Sequence, residues 1–189
     1  MRFSFFSPQA SDDTRYILDP QWLSLPNSYH VGDETRSQRW KQDQWLKTFN
    51  IPQVPPEKIF QQARARLISM DIISPQILEL TAQWNVEGRL PQAGDLLFQR
   101  THLVRLGNIH IIDLLSATRI TSVVDEPARF VLQYTTLKGH PEKGISNYII
   151  ENNGENVTFS IQSIAKPANI ITQLVNPFFT DNRAQSPLL

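Results

Sequence analysis

The spacing of apolar residues changes along the chain and predicts one helix followed by a series of strands. Between residues 59 and 70 the apolar positions recur every three or four residues, which predicts a single apolar stripe on a helix of about four turns. Pro56 suits the start of this helix, because the amide hydrogen that proline lacks has no partner in a first turn. The stripe consists of Ile59, Phe60, Ala63, Leu67 and Met70.

Beyond this helix the apolar period falls to two, which is typical of strands with one buried face. Residues 80–86 show this alternation first, and a shorter strand at 48–51 is predicted ahead of the helix. Strands joined by short turns pair antiparallel, and the apolar face of their sheet needs a cover. The later strand-like segments are 96–106, 109–115, 118–124, 130–136, 145–150 and 157–164.

The N-terminal 45 residues differ from the rest, because prolines at positions 8, 20 and 26 interrupt any regular element. Over residues 33–47, Trp40, Trp45 and Leu46 lie at roughly helical spacing, which predicts a helix. Two interpretations remain open. The segment is an arm that presents its indoles to a partner, or the indoles pack on the surface of the same domain.

At the other end, an apolar stripe that includes Leu174 predicts a final helix over residues 167–179, starting at Pro167. We predict an α+β fold in which an antiparallel sheet of about six or seven strands packs on this C-terminal helix. The expected divisions are an N-terminal extension at 1–45, a single domain at 46–180 and a mobile tail at 181–189.

Composition narrows the classes of function. The 18 basic residues balance 18 acidic ones and form no basic stripe, so nucleic acid is not an expected partner. The chain has no cysteine, which excludes disulfides, thiolate zinc sites and thiol catalysis. No segment approaches the ~20 apolar residues that span a membrane, and the first residues lack the apolar run of a signal peptide. We expect a soluble cytoplasmic protein that needs neither metal nor cofactor.

The most unusual segment is 134–144, which reads Tyr-Thr-Thr-Leu-Lys-Gly-His-Pro-Glu-Lys-Gly. Its glycines can adopt backbone angles that other residues avoid, and Pro141 restricts His140 to extended geometry. The segment therefore predicts a shaped connection between two strands. It carries one imidazole, that of His140, and one carboxylate, that of Glu142.

This motif resembles the signature of an uncharacterised family, the domain of unknown function nineteen-ninety. The resemblance covers residues 48–180 and implies no activity, because the biochemistry of that family is not established. The family continues its motif with Gly-Glu-Glu, whereas Ile145 and Ser146 follow Gly144 here, so no role of that acidic pair carries over. The matching residues are Tyr134, Thr136, Leu137, Gly139, His140, Pro141, Glu142 and Gly144, with Lys166-Pro167-Ala168, Val123-Val124-Asp125-Glu126, Leu90-Pro91 and Gly94-Asp95.

Residues 49–60 are similar to the first strand and helix entry of the helix-grip proteins, the START and birch-pollen-allergen superfamily. This resemblance implies a curved antiparallel sheet wrapped around a long C-terminal helix, with an apolar cavity between the two. By analogy with those proteins, the cavity is the expected ligand site.

The candidates for ligand binding are Arg100, His102, Tyr134, His140 and Leu174. Arg100 and His102 share a predicted strand face with apolar residues, where a charge is costly unless it is paired or opens on water. They therefore predict either a polar anchor, for example for a ligand carboxylate, or an internal pair with Glu87 or Asp113. A bulge that reverses the faces is a further possibility.

Two residues of the 134–144 segment could act in proton transfer. His140 and Glu142 form a candidate proton-transfer pair or two candidate ligands of a metal, and the alternative is a rigid turn in which His140 caps backbone groups and Glu142 faces water. Tyr134 shares a predicted face with Phe130 and Leu132, as a core residue or as a hydrogen-bond donor in a pocket. No histidine spacing in the chain matches a metal-binding motif.

The leading hypothesis is a module that binds a small apolar or amphipathic molecule between the sheet and the C-terminal helix. One alternative is a small enzyme of hydrolase, cyclase or isomerase type that uses His140 with Glu142, or Arg100 with His102. Another is an interaction protein that acts through its N-terminal extension.

Overall fold

The structure is a computed structural model and describes residues 2–7, 19–36, 39–74, 78–106 and 109–168. Its helices are α1 (Pro20–Leu23), α2 (Pro56–Ser69) and α3 (Gln83–Val86), with a 3-10 turn at Asp33–Arg36. Its strands are β1 (Arg2–Ser7), β2 (Lys41–Phe49), β3 (Leu78–Ala82), β4 (Leu96–Leu106), β5 (Ile109–Glu126), β6 (Arg129–Thr136), β7 (Glu142–Asn152) and β8 (Val157–Pro167).

The strands of the described residues form one antiparallel sheet in the order β2-β8-β7-β6-β5-β4-β3. Strand β5 is long enough to pair with three others: β4 lies along one of its edges, while β1 and β6 follow each other along the opposite edge. The α+β class and the antiparallel sheet predicted from the period-two segments are confirmed.

Helix α2 covers part of one side of the sheet, which we call the α2 face. Its apolar stripe is buried against a core that includes Phe130, Ile150 and Phe159. Arg64, on the flank of the helix, donates from Nε to Oδ1 of Asp125 at 2.9 Å and so ties α2 to β5. The predicted stripe and the predicted start of the helix at Pro56 are confirmed.

The opposite side, which we call the Trp22 face, is packed by residues 19–36 and Trp40. Trp22 is buried with its ring edge-on to Phe98, the ring centroids lying 5.5 Å apart. Arg119 holds the same segment by donating to Asn27 Oδ1 at 3.0 Å and to the Leu23 carbonyl at 2.9 Å. This part of the N-terminal extension therefore belongs to the packed structure.

The helix predicted over residues 33–47 is wrong. Only Asp33–Arg36 forms a short 3-10 turn, and Lys41–Phe49 is a strand that pairs with β8 along its whole length. Pairing with β8 supplies the backbone hydrogen bonds, and it overrides a helical spacing that rested on three side chains. The division between residues 45 and 46 consequently falls inside β2, and the strand predicted at 48–51 is the end of β2, which stops at Phe49.

Two strand boundaries also differ from the predictions. The segment 80–86 is a strand only to Ala82, because Trp84 turns into the core and donates from Nε1 to the Ile68 carbonyl at 2.7 Å. The segments 109–115 and 118–124 form a single strand, since Ser116 and Ala117 between them continue the pairing with β4.

The predicted C-terminal helix cannot be compared with the fold. Pro167, its predicted first residue, is the last residue of β8. The remainder of that helix with Leu174 and the tail at 181–189 lie outside the described residues. Within the described ranges, no helix is long and apolar enough to cross a membrane.

Replacing Trp22 tests whether residues 19–36 are part of the fold. Trp22→Ala should lower the free energy of unfolding by about 3 kcal/mol, because it removes a buried indole from the Trp22 face. Leu23→Ala is the matched control, since the neighbouring Leu23 is 43% exposed. Urea unfolding followed by circular dichroism measures both changes. Equal stability of the Trp22 variant and the wild type would contradict the packing role.

Candidate functional site

Part of the α2 face carries polar side chains, and we call this part the polar half. Strand pairing brings these side chains together, because Tyr134 lies opposite Ser146, and Ser146 lies opposite Ser163 on the next strand. Helix α2 lies over the other part of the face, where Phe130 and Ile150 are buried. The polar half consists of Gln99, Thr118, Tyr134, Ser146, Tyr148 and Ser163.

A row of aromatic rings runs along the border between the polar half and the core. The centroids of Tyr134 and Tyr148 are 5.3 Å apart, those of Tyr148 and Phe159 are 6.1 Å apart, and those of Phe159 and Trp45 are 5.8 Å apart. The Tyr134 hydroxyl donates to the Tyr148 hydroxyl oxygen at 3.2 Å. The row therefore combines a flat apolar surface with two adjacent hydroxyl groups.

The signature segment at the edge of this site is held by a network around Gly144. The Gly144 amide donates to Thr136 Oγ1 at 2.9 Å, and the Thr135 hydroxyl donates to the Gly144 carbonyl at 3.0 Å. Thr136 Oγ1 also lies 2.6 Å from the Ser28 hydroxyl, which joins the N-terminal segment to β6. A side chain on Gly144 has no room, because its Cβ would lie 2.8 Å from the Cβ of Ala165.

His140 is fixed at both ring nitrogens. The Glu142 amide donates to Nδ1 at 3.0 Å, so Nδ1 is an acceptor and Nε2 carries the proton, which it donates to Gln99 Oε1 at 3.1 Å. The contact between His140 and Glu142 thus runs through the Glu142 backbone. This geometry matches the alternative in which His140 caps backbone groups, while catalysis by His140 and Glu142 stays a prediction.

The environment of His140 keeps its ring neutral. Burial lowers the pKa of His140 from 6.5 to about 4. The Glu142 carbonyl oxygen, 3.0 Å from Nδ1, opposes this shift only in part, because it can accept a hydrogen bond from Nδ1 when the ring is protonated. The ring is therefore uncharged at neutral pH and presents one donor and one acceptor.

Arg100 and His102 belong to a buried ionic cluster on the Trp22 face. His102 Nδ1 lies 2.8 Å from Asp113 Oδ1, and Arg100 Nε lies 3.9 Å from Asp113 Oδ2. Glu79 closes the cluster, with its carboxylate oxygens 3.4 Å from Arg100 Nη1 and from His102 Nε2. Of the two predicted internal partners Asp113 is present, and Glu79 takes part in place of Glu87, whose carboxylate binds Arg89.

The predicted ligand-binding residues do not all converge. Tyr134 and His140 lie at the polar half, and Tyr134 shares a face with Phe130 and Leu132 as predicted. Arg100 and His102 lie on the opposite side of the sheet, because Leu97 packs into the α2 core while Phe98 packs with Trp22. The ligand role of Arg100 and His102 stays a prediction, and Leu174 lies outside the described residues.

Several residues of both sites were missed by sequence reasoning. Tyr148 and Ser146 lie on a segment predicted as a strand, so their alternation with Ile150 was a usable signal. Gln99 and Glu79 gave no such signal, because their contacts depend on the register between β3, β4 and the 134–144 segment. Across the described part of the chain, no group of three or more acidic or histidine side chains is arranged to hold a metal ion.

The structure defines an α+β protein with one antiparallel sheet, α2 on one face and the N-terminal segment on the other. The chain belongs to the family described as Domain of unknown function (DUF1990), which matches residues 24–185. The match begins well before residue 48, where the resemblance in the sequence starts, and so includes much of the predicted extension.

Comparison with curated proteins gives no match. Among solved structures, a hypothetical protein of Helicobacter pylori is similar with 8% identity, 95% of both chains covered and a TM-score of 0.46. The major latex-like protein 151 of Panax ginseng has 13% identity, covers 76% of this chain and 96% of its own, and has a TM-score of 0.35. Ara h 8.0201 has 11% identity, coverages of 76% and 97%, and a TM-score of 0.40. The last two are helix-grip proteins, the class that the sequence resembles.

The lowered pKa of His140 predicts a pH-dependent stability. The His140 ring takes up a proton near pH 6.5 in the unfolded chain but only near pH 4 in the folded chain. The stability that the neutral ring contributes is therefore fully present above pH 6.5, and it is lost as the pH falls from 6.5 to 4. His140 keeps some exposed surface, so its share of this loss is at most about 3 kcal/mol.

Urea unfolding at several pH values, for the wild type and for His140→Asn, measures this contribution. The variant should be less stable at pH 8 and should lose less stability between pH 6.5 and pH 4. His30→Asn is the control, since His30 is exposed. Parallel pH profiles for the wild type and His140→Asn would contradict the assignment.

The buried cluster predicts unequal roles for its two carboxylates. Asp113→Asn should lower the free energy of unfolding by about 3 kcal/mol, because it removes a buried charge that faces Arg100 and His102. Glu79→Gln changes a carboxylate that is partly exposed and should cost about 1 kcal/mol or less. Chemical unfolding of both variants measures the difference. Equal losses would show that Asp113 is not the centre of the cluster.

Proposed function

We propose that the protein binds a small apolar or amphipathic molecule at the polar half of the α2 face. The observation that carries the proposal is the aromatic row with its paired hydroxyls, Tyr134 and Tyr148, at the border of a large apolar core. Sites for small molecules are typically apolar surfaces with a few well-placed polar groups that fix orientation.

The side chains of the polar half support a ligand without charge. Its members offer hydroxyl groups and one amide, and none of them is a carboxylate, an imidazole, an ammonium or a guanidinium group. Such groups hydrogen-bond to carbonyl or hydroxyl oxygens of a ligand while the rings of Tyr134 and Tyr148 contact its apolar surface. A strongly anionic ligand finds no matching cation among these residues.

The partial exposure of several members is consistent with access from outside. Tyr134, Ser146 and Gln99 are half-buried, whereas Ser163 and Thr118 beside them are buried. His140 lies at one side of the site, where its neutral ring is held by the hydrogen bond to Gln99. The site thus has a rigid frame, which lowers the entropy cost of binding.

A dye-binding experiment tests this proposal. The uncharged dye Nile red should bind the folded protein with saturable fluorescence, and neutral isoprenoid alcohols should displace it. Ser146→Phe places a large ring between Tyr134 and Ser163 and should weaken dye binding at least about tenfold, or about 1.4 kcal/mol.

Gln162→Phe is the matched control, because Gln162 is exposed on the neighbouring strand and faces the opposite side of the sheet. It should leave dye binding unchanged. Thermal unfolding of both variants checks that the fold persists. Dye binding that is unaffected by Ser146→Phe, or absent in the wild type, would contradict a ligand site at the polar half.

A further inference from the structure

Strand β2 lies at the end of the sheet and has one edge paired with β8. No other strand of the described residues pairs with its second edge. Phe49 is its buried residue, while the others are exposed or half-buried, and Leu46 is 56% exposed. An exposed strand edge presents unpaired amide and carbonyl groups that can bind another strand.

The side chains of β2 follow a pattern that is complementary to itself. Asp43, Trp45 and Lys47 share the α2 face, since they lie opposite Ser163, Ile161 and Phe159 of β8, respectively. Asp43 therefore lies two residues before Trp45, and Lys47 lies two residues after it. When two such strands run antiparallel about Trp45, Asp43 of each copy lies opposite Lys47 of the other.

We propose that β2 forms a two-fold interface with β2 of a second copy of this chain, centred on Trp45. The axis stands perpendicular to the sheet, so the sheet continues from one copy into the other. The same patch serves both copies, as two-fold symmetry requires. Two Asp43–Lys47 pairs form, and Trp45 of each copy lies opposite Trp45 of the other at the axis.

The charges decide the register. Residues that face each other in an antiparallel pair have Cβ atoms about 4.5–5.5 Å apart, so opposite charges stabilise a pair and like charges oppose it. A register centred on Gln44 brings Lys41 against Lys47, and a register centred on Leu46 leaves Asp43 opposite an aromatic ring. A register centred between two residues would pair side chains of the α2 face with side chains of the opposite face. The two-fold axis excludes this register, because it is perpendicular to the sheet and keeps each face on the same side in both copies.

The contacts within one copy are compatible with this arrangement. The Lys47 ammonium lies over the Phe49 ring, 4.9 Å from its centroid, so the side chain already follows the strand. Trp45 is held edge-on against Phe159 and is therefore ordered before the second copy binds. Both features reduce the side-chain entropy that association costs.

Sedimentation velocity of the full chain over a range of concentrations is the first test. We expect a monomer–dimer equilibrium that weakens between about 0.1 M and about 1 M NaCl, because the screening length falls from about 10 Å to about 3 Å. A wild type that remains monomeric over the whole range overturns the proposal.

Charge reversal is the second test. Asp43→Lys and Lys47→Asp should each weaken self-association at least about tenfold, because each puts like charges opposite each other twice. The double variant Asp43→Lys/Lys47→Asp should regain the dimer, and a mixture of the two single variants should form a heterodimer. Asp71→Lys, an exposed change outside β2, is the control. A dimer whose affinity is unchanged by these charge reversals overturns the proposal.

Cysteine pairing tests the register, since the chain has no cysteine of its own. In the proposed interface Gln42 lies opposite Thr48 of the second copy, within the spacing that a disulfide allows. Gln42→Cys/Thr48→Cys should give a disulfide-linked dimer on oxidation. Gln42→Cys alone places its two thiols about 20 Å apart along the strands and should not. Equal cross-linking of the single and double variants would overturn the register.

Discussion

The pairing of β5 with three other strands determines where both groups of polar residues lie. Side chains alternate between the two faces along a strand. The pairing of β1, β4 and β6 with β5 therefore fixes which of their residues lie on the α2 face. Asp113, Leu115 and Ala117 face Trp22, whereas Ile120 faces α2. A register shift between Ile120 and Ser122 then restores an apolar residue, Val123, to the core. The ionic cluster and the polar half occupy opposite sides of the sheet for this reason.

The alternation of apolar and polar residues predicted most strands because a sheet with one buried face requires it. It failed for β2, where Lys41, Asp43 and Lys47 interrupt the apolar series and burial is limited to Phe49. An edge strand is paired on one side only, so its sequence is under weaker constraint from packing. It failed again at Trp84, whose direction depends on a hydrogen bond to the distant Ile68 carbonyl.

The candidate site was predictable only in part. Tyr134 could be placed on the core face by its alternation with Phe130 and Leu132, because all three lie in one unbroken strand. The cost of burying Arg100 and His102 left an internal pair as one of several alternatives, and Asp113 was one of the two partners considered for it. Which side of the sheet they face depends on where α2 packs, and periodicity within one strand does not carry that information.

The crowding at Gly144 has a consequence for cooperativity. Its backbone joins β7 to Thr136, whose hydroxyl also bonds to Ser28, and it approaches β8 too closely for any side chain. Separating β7 from β6 here would break the Gly144–Thr136 bond and weaken the hold of Thr136 on Ser28. Local opening at either place is thereby coupled to the other, so the amide hydrogens of Ser28 and of the start of β7 exchange as one unit.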